Sequence, residues 1–341
     1  MKVLIISDAW DGQVNGVVKT LRNLKNELSK MDIKVKIVGP SNFIGVPLIG
    51  YKEIKLALFP RRKLLRIIKN FNPDSLHIAT EGPLGLSARR IAIKYKMRFT
   101  TSYHTNFPDY VAARIPIPKN FVYKGLKWFH RKSHKVMIPT PSLEIELLSN
   151  GFKNLSIWTR GVDTSLFNPQ KRFSDKCPTK SSYYRFKKPI LLYVGRVSIE
   201  KNIPNFLDLD IEGTKVVIGE GPELKNLMKK YPETIFLGAQ FGEALAKFYA
   251  DADVFVFPSK TDTFGLVIVE ALASGLPVAA YPTTGPIDII DHNVNGFLDE
   301  DLKNAILKCL ILKNDKFQET AKMYSWKVSA KQFMNNMVTI H

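Results

Sequence analysis

The chain has 341 residues, of which 45% are hydrophobic, so it is too long for one ordinary domain and too apolar to be disordered. Its net charge of +19 lies almost wholly in the first half, where residues 1–170 hold 28 Lys and Arg against 11 Asp and Glu, while residues 171–341 hold 22 against 20. The first half is therefore expected to meet an anionic partner, which is a membrane surface, a nucleic acid or an acidic substrate.

Apolar runs that predict buried strands alternate with helical patterns along the chain. In the first half these strands are predicted at 3–7, 34–38, 75–79, 98–103 and 136–139, with a helix that ends at about Met31. A second series is predicted at 190–194, 215–218, 234–237, 253–257 and 276–280. Strands that alternate with helices predict an α/β fold with two doubly wound parallel sheets.

A polar junction at residues 168–188 separates the two series. It contains proline and seven basic residues, which is typical of a linker: Lys171, Arg172, Lys176, Lys180, Arg185, Lys187 and Lys188. We therefore expect a first domain over residues 1–170, a second over 171–324, and a cleft between them. Ligands of such folds bind outside the carboxyl ends of the strands, so the loops that follow the strands are the expected site.

The segment after the strand at 253–257 carries the strongest site signal. Asp262 is expected to cap a helix that Gly275 ends, and Gly265 would let a phosphate approach the helix N-terminus. Glu270 lies eight residues beyond Asp262, about 12 Å along a helix axis at 1.5 Å per residue. The two carboxylates would thus hold opposite ends of an extended ligand, such as a sugar–diphosphate–ribose. The alternative is a well-capped core helix with Glu270 on its solvent face.

Two further loops follow strands of the second series. Arg196 and Lys201 come after the strand at 190–194, where a diphosphate needs a bidentate Arg and a point charge. The alternative is a pair of surface cations beside Glu200. The loop that begins at Gly219 would let the backbone approach a base or a ribose.

The first half offers weaker signals. Its loop at residues 8–16 contains Gly12 and Gly16 but not the G-x-G-x-x-G spacing, which argues against a nicotinamide enzyme, and the chain lacks the P-loop pattern of ATPases. His104 follows a predicted strand, where chemistry is expected, although a structural histidine is the alternative. We interpret His77, inside a strand, as structural.

Together these residues resemble the retaining glycosyltransferase family 4, whose fold of two Rossmann-like domains is called GT-B. The matching segments span nearly the whole chain in the family's order: residues 15–17, 81–85, 104–107, 161–163, 195–196 with Lys201, 219–221 and 262–270. One departure is Asp262, which stands where the family usually has Glu.

The resemblance implies that Arg196 and Lys201 hold the diphosphate and that Glu270 holds the ribose hydroxyls. Asp262 and the adjoining amides would hold the donor sugar, which His104 would also contact. Neither a metal nor another cofactor is implied, because the cations and the helix dipole stabilise the departing charge. The last helix, with residues 325–341, would return to the first domain. The predicted donor-binding residues are Gly16, Gly195, Arg196, Lys201, Gly219, Asp262, Thr263, Phe264, Gly265, Leu266 and Glu270, and the predicted catalytic residues are His104, Arg196, Lys201 and Asp262.

Two basic segments of the first half favour a membrane partner. Residues 61–71 predict a basic amphipathic helix after an apolar loop at 43–49, and residues 119–135 combine six Lys and Arg with aromatic residues and no acid. This composition is typical of helices in an anionic membrane interface. The alternative is that the apolar residues face the domain core. The predicted membrane and acceptor residues are Arg61, Arg62, Lys63, Arg66, Lys69, Lys124, Lys127 and Trp128.

The predicted activity is transfer of a hexose or hexuronic acid from a nucleotide-diphospho-sugar, UDP-sugar favoured, to a membrane lipid such as diacylglycerol. Residues 259–265 and 281–288 resemble bacterial diacylglycerol glycosyltransferases and α-mannosyltransferases, so a GDP-mannose-dependent mannosyltransferase is the alternative. An epimerase or phosphorylase of similar fold stays open. A nucleic-acid binder is disfavoured, because it gives no reason for the spacing of Asp262 and Glu270. The sequence does not indicate an oligomeric state.

The cysteines and the apolar segments of the sequence indicate the cellular compartment. Cys177 and Cys309 are far apart, without metal-ligand spacing, and favour a reducing compartment. No signal-peptide pattern follows Met1, and no run of about 18 apolar residues is present to span a bilayer. We expect a cytoplasmic enzyme attached peripherally to the cytosolic face of the inner membrane.

Overall fold

The computed structural model describes residues 1–10, 12–13, 15–48, 51–106, 108, 117–172, 186–312 and 317–341. Within these residues the chain divides into two compact units. The first unit comprises Met1–Arg160 together with Trp326–His341, and the second comprises Gly161–Ser325. Phe107 and most of the expected linker, residues 173–185, lie outside the described residues.

The first unit is built on a parallel sheet. Its strands are β1 (Lys2–Ile6), β2 (Lys34–Val38), β3 (Gly45–Leu48), β4 (Tyr51–Ala57), β5 (Ser75–Ile78), β6 (Thr100–Ser102), β7 (Val136–Ile138) and β8 (Leu155–Ile157). The sheet order is β2-β1-β5-β6-β7-β8, and every pair in it is parallel. The described helices are α1 (Gly16–Lys30), α2 (Arg61–Phe71), α3 (Pro83–Lys94), α4 (Lys119–His130) and α5 (Pro141–Ser149).

Local sequence explains the first elements. The residues of β1 from Val3 to Ile6 are wholly buried, as expected for a strand covered on both faces. Asn15 caps α1, since its side chain accepts a hydrogen bond from the amide of Val18 at 3.0 Å. Leu21, Leu24 and Leu28 then recur on the buried face of α1 and pack on the sheet beside β1.

Within the expected apolar loop at residues 43–49, residues 45–48 instead form the strand β3. β3 pairs antiparallel with β4, and the register shifts between Pro47 and Leu48. The two strands form their own small sheet. The prediction was wrong because β3 is short, contains a proline and gains its hydrogen bonds only from β4, which the local pattern does not reveal.

The second unit is also built on a parallel sheet. Its strands are β9 (Ile190–Val194), β10 (Thr214–Ile218), β11 (Ile235–Phe236), β12 (Val254–Phe257), β13 (Val278–Ala280) and β14 (Gly296–Leu298). Its described helices are α6 (Pro204–Leu207), α7 (Leu224–Lys230), α8 (Gly242–Asp251), α9 (Leu266–Ala273), α10 (Pro286–Ile289), α11 (Leu302–Ile311) and α12 (Phe317–Met323). The order β11-β10-β9-β12-β13-β14 is that of the Rossmann fold, in which the direction of winding reverses between β9 and β12.

The boundary between the units falls ten residues before the predicted one, between Arg160 and Gly161. The physical reason is packing, because Val162 and Phe167 are buried in the hydrophobic core of the second unit. In addition, the amide of Val162 donates to the carbonyl oxygen of Tyr324 at 2.8 Å. Residues 161–172 therefore belong to the second unit and are not a free linker.

The last helix, α13 (Trp326–Asn336), belongs to the first unit, as predicted. Phe333 is wholly buried, and its ring centroid lies 4.9 Å from that of Trp158. The indole nitrogen of Trp158 donates to the hydroxyl of Ser329 at 3.0 Å. None of the helices in the described residues has the length and apolar character needed to cross a bilayer.

His77 gives the first unit a predictable response to acid. It is wholly buried in β5, and burial, reinforced by the charge of Arg160, lowers its pKa to about 3. In the unfolded chain a histidine takes up a proton near pH 6.5. The folded state therefore binds fewer protons, and the free energy of unfolding falls as the pH drops below about 6.5.

Between pH 7 and pH 5 this one side chain is expected to cost about 2 kcal/mol of stability. Urea unfolding followed by tryptophan fluorescence at both pH values measures the loss. His77→Gln keeps hydrogen-bonding groups for Thr100 and Ser102 but does not titrate, so its loss should be smaller by about that amount. Equal losses in the two proteins would contradict the assignment.

Candidate active site

The carboxyl ends of β9 and β10 lie in backbone contact. A Cβ atom placed on Gly219 would lie 1.8 Å from the carbonyl oxygen of Gly195, and one on Gly221 would lie 2.2 Å from that of Val197. The amide of Val197 also donates to the carbonyl oxygen of Glu220 at 2.9 Å. Only glycine fits at residues 219 and 221, because the loops that follow β9 and β10 pack backbone against backbone.

Lys201 and Asp262, predicted to be site residues, lie together. The Nζ atom of Lys201 donates to both carboxylate oxygens of Asp262, at 2.6 and 2.8 Å, and both side chains are about one-fifth exposed. Arg196 is half-buried, and its carbonyl oxygen accepts a hydrogen bond from the Tyr193 hydroxyl at 2.9 Å. Burial, then the charges of Asp262 and Glu200, raise the pKa of Tyr193 well above its usual value, which shows that these groups converge.

The two loops at the switch point are tied to one another. The side-chain amide of Asn202 donates to the carbonyl oxygen of Pro258 at 3.1 Å. The hydroxyl of Thr261 donates to the carbonyl oxygen of Glu200 at 3.3 Å. These bonds hold the turn that carries Lys201 against the segment that carries Asp262, so the ion pair is positioned by the backbone on both sides.

The prediction that Asp262 caps the following helix was wrong. α9 begins at Leu266, and its N-cap is Gly265, whose φ of +91° lies in the left-handed region. Asp262 instead binds Lys201, a partner 61 residues away that a local pattern cannot reveal. Among the hydrogen bonds of the described residues, the amides of Phe264, Gly265 and Leu266 donate none, so three donors lie at the N-terminus of the helix.

Gly275 ends α9 as predicted. Its φ is +75°, its amide donates to the carbonyl oxygen of Leu272, and the amide of Leu276 donates to that of Ala271. This pair of bonds is the Schellman motif.

Glu270 is only 3% exposed, so the alternative of a solvent-facing glutamate is wrong. The hydroxyl of Tyr249 donates to its Oε2 atom at 3.3 Å. Burial raises the pKa of Tyr249 well above its usual value, and the Glu270 carboxylate raises it further. Sequence reasoning missed Tyr249, because it lies 21 residues earlier on α8 and reaches Glu270 only through packing.

In the first unit, Asp8 explains the Glu81–Gly85 pattern. Its carboxylate accepts hydrogen bonds from the amides of Leu84 at 2.8 Å and Gly85 at 3.1 Å, at the N-terminus of α3. A Cβ atom on Gly82 would lie 2.5 Å from the Asp8 carboxyl carbon. Burial raises the pKa of Asp8 above its usual value, against the effect of these bonds. These contacts hold the N-terminus of α3 against the loop that follows β1.

His104 follows β6 and lies beside Arg160, which sequence reasoning did not single out. Its Nδ1 atom is 3.1 Å from the Nη2 atom of Arg160, and its ring centroid is 5.6 Å from that of Trp158. Burial, then the charges of Arg160 and His77, hold the pKa of His104 well below its usual value. His104 is therefore neutral at physiological pH. Gly16 is exposed at the first position of α1.

The predicted membrane residues divide into two groups. On α2 the basic side chains line the outward face, whereas Leu64 and Ile68 of the same helix are buried in the core of the first unit. The apolar face of α2 thus packs on the core, and its basic face is free for a partner. All the basic residues of that face are exposed: Arg61, Arg62, Lys63, Arg66 and Lys69.

On α4, Lys124 and Trp128 are exposed, but the Nζ atom of Lys127 donates to the carbonyl oxygen of Asn150 at 3.3 Å. Next to α2, two apolar residues are also exposed: Phe59 by 95% and Ile44 by 83%. Ile44 lies in the apolar segment 43–49 noted from the sequence, whereas sequence reasoning did not single out Phe59. Among the described residues, no group of three or more His, Cys, Asp and Glu is arranged to hold a metal ion.

Comparison with known proteins agrees with this fold. Residues 14–166 match the family described as Glycosyltransferase Family 4, and residues 180–323 match the family described as Glycosyl transferases group 1. The solved structure of sucrose-phosphate synthase from Thermosynechococcus elongatus superposes with a TM-score of 0.79, at 19% identity, over 98% of this chain and 97% of that one.

Three relatives span most of this chain. The sulfoquinovosyl transferase of Arabidopsis thaliana is 28% identical over 94% of this chain and 70% of its own length. The GDP-mannose-dependent alpha-mannosyltransferase of Mycobacterium tuberculosis is 27% identical over 87% of this chain and 83% of its own length. The alpha-monoglucosyldiacylglycerol synthase of Streptococcus pneumoniae is 28% identical over 98% of this chain and 83% of its own length.

Substitutions of Gly219 and Gly238 test the backbone contact between the loops that follow β9 and β10. Gly219→Ala places a Cβ atom on the Gly195 carbonyl oxygen, so we expect a loss of more than about 2 kcal/mol in the stability of the second unit. Gly238→Ala is the matched control, because Gly238 also has a positive φ, +65°, but a methyl group added there would meet no atom within 4 Å. It should cost about 1 kcal/mol. Urea unfolding of both variants measures the difference, and similar losses would refute the contact.

Proposed function

Because the chain belongs to glycosyltransferase family 4, with the GT-B fold, we propose that it transfers a hexose or hexuronic acid from a UDP-sugar to a membrane lipid such as diacylglycerol. The observation that supports this proposal is the contact between Lys201 and Asp262 at the switch point of the second sheet, where Lys201 lies in the same loop as Arg196. Doubly wound folds bind their ligands at that position.

Each part of the donor is assigned a group of this site. The diphosphate lies by Arg196 and Lys201, with the three amides before α9 as further donors. The ribose hydroxyls bind the carboxylate of Glu270, which Tyr249 orients. The transferred sugar binds Asp262, and the family resemblance assigns it a contact with His104 as well. Gly16, at the start of α1, leaves backbone open to the phosphates.

The chemistry follows from the charges. The bond between the anomeric carbon and the diphosphate oxygen breaks, and negative charge develops on the leaving diphosphate. Arg196 and Lys201 stabilise that charge from preorganised positions. The acceptor hydroxyl supplies the oxygen of the new bond and gives its proton to the departing diphosphate oxygen. We propose that the anomeric configuration is retained and that the site works without a metal ion.

A lipid acceptor is supported by the surface of the first unit. The basic face of α2 is exposed, and Phe59, immediately before the N-cap of α2, is 95% exposed. Phe59 also has a φ of +46°, a left-handed conformation that is costly for a bulky residue. An exposed aromatic residue beside a row of cations suits the interface of an anionic bilayer. The diacylglycerol synthase relative supports the same acceptor class.

A second candidate is a GDP-mannose-dependent mannosyltransferase that acts on a glycolipid or polysaccharide precursor. The mycobacterial relative favours it at nearly the same identity as the relatives that act on other donors. The donor therefore has to be determined by assay.

The deciding assay is sugar transfer from a panel of UDP- and GDP-sugars, each with and without diacylglycerol in vesicles. We expect turnover with a UDP-sugar that depends on the lipid. Transfer only from GDP-mannose would establish the second candidate, and conversion of the donor without an acceptor would indicate an epimerase. Arg196→Ala should lose about 3–4 kcal/mol of transition-state stabilisation, by analogy with loss of one oxyanion donor, whereas exposed Lys229→Ala should not.

Vesicle flotation tests the membrane surface. Arg61→Glu with Arg62→Glu reverses two exposed charges at the start of α2, where acidic residues favour the helix, so the fold should be kept. We expect wild-type protein to float with phosphatidylglycerol vesicles, less so with phosphatidylcholine or at high salt, and the variant to float weakly.

The matched control is Lys229→Glu with Lys230→Glu, which reverses two exposed charges on α7 of the second unit. It should float like the wild type. Equal weakening in both double variants would mean that net charge alone drives binding, and binding that ignores salt would exclude the electrostatic surface.

A further inference from the structure

Arg160 is a buried cation with an unusual set of partners. It is 4% exposed and ends the segment that follows β8. Its Nη1 atom donates to the carbonyl oxygen of Trp158 at 2.5 Å, its Nη2 atom lies 3.1 Å from Nδ1 of His104, and its guanidinium stacks on the Trp158 ring at 4.4 Å. Within the described residues, no carboxylate pairs with it.

Burial of a charge is costly, and here the hydrogen-bond acceptors are neutral. Burial lowers the pKa of Arg160 to about 9, so the guanidinium still carries its charge at neutral pH. A side chain retained at such a cost, next to a residue assigned to the transferred sugar, indicates a task beyond packing.

The chemistry of the guanidinium defines that task. Arginine has only N–H donors and no acceptor, so the Nδ1 atom of His104 must accept the hydrogen bond and cannot carry a proton. The imidazole is neutral, because burial and the adjacent charge hold its pKa well below its usual value. Its one proton is then on Nε2, which makes this buried nitrogen a donor.

The last helix holds Arg160 in place. Ser329 of α13 accepts from the Trp158 indole at 3.0 Å and donates to the carbonyl oxygen of Thr159 at 2.7 Å. Gln332 accepts from the amide of Thr159 at 2.9 Å. The two residues before Arg160 are thus bound to α13, which fixes the direction of the guanidinium.

We propose that Arg160 is a positioning residue that fixes His104 as the Nε2–H tautomer, so that His104 donates a hydrogen bond to a hydroxyl or ring oxygen of the transferred sugar. The role of His104 toward the sugar rests on the proposed function. The tautomer does not, because it follows from the contact between Arg160 and His104 alone.

Nitrogen NMR of protein labelled with ¹⁵N-histidine tests the tautomer without any substrate. His104→Gln identifies the signals of His104 by their disappearance. At neutral pH we expect the wild type to show a protonated Nε2 and an unprotonated Nδ1. Arg160→Met should convert this into a mixture of tautomers, while Arg160→Lys, which keeps one donor, should restore much of the Nε2–H form.

Arg89→Met is the matched structural control. Arg89 is also buried, stacks on a tryptophan at 4.1 Å and donates to the carbonyl oxygens of Trp128 and Phe129, neither of which is a histidine. Its loss should leave the His104 tautomer unchanged. A protonated Nδ1 in the wild type, or an Arg160→Met variant that folds and keeps the pure Nε2–H form, would overturn the proposal.

Kinetics with the donor found by the transfer assay give the second readout. If Arg160 acts through His104, Arg160→Met and His104→Gln should each lower kcat about tenfold, and the double variant should be no worse than His104→Gln alone. Additive losses would show that Arg160 has an independent role. Should the tautomer be as proposed but His104→Gln leave kcat unchanged, the sugar contact fails while the tautomer assignment stands.

Discussion

Parallel strand pairing is the constraint on which the rest of both units depends. In each main sheet every strand pair is parallel, so all carboxyl ends lie along one edge, and the loops that follow the strands are forced together there. In the second unit this brings the loops after β9, β10 and β12 into contact. The crowding is resolved by glycine at 219 and 221, where a methyl group would collide with a carbonyl oxygen. Glycine at these two positions is therefore a consequence of close backbone packing between neighbouring parallel strands.

Charge is distributed differently in the two units. In the second unit, Lys201 is already neutralised by Asp262, so the site holds less net positive charge than a count of its cations suggests. Under the proposed function, a diphosphate would therefore also need the backbone amides at the N-terminus of α9. In the first unit, Arg160 is buried against neutral acceptors and keeps its charge, which also disfavours protonation of His104. The charge of Lys201 is therefore balanced by a carboxylate, whereas the charge of Arg160 acts on the neutral His104.

Much of the fold could be predicted because the signals are local. The bounds of α2 and β9 agree with the apolar pattern, and Gly275 ends α9 in the expected conformation. The predictions that failed share a physical origin, because each concerns a residue whose environment is set by a partner distant in the sequence. Asp262 was misplaced since its partner lies 61 residues away, and Arg160 was overlooked since His104 lies 56 residues away. The domain boundary was placed ten residues too late because burial of Val162 and Phe167 depends on the core of the second unit.

The departure at Asp262 gains a physical meaning from its contact with Lys201. A carboxylate that accepts two hydrogen bonds from one ammonium has part of its capacity occupied before a donor binds. Its side chain is also one methylene shorter than the usual glutamate, so it reaches less far beyond the lysine. A sugar hydroxyl at this end must either share Asp262 with Lys201 or displace the lysine toward the diphosphate. In the second case, donor binding would itself release Lys201 to the leaving group, which couples sugar recognition to stabilisation of the departing charge.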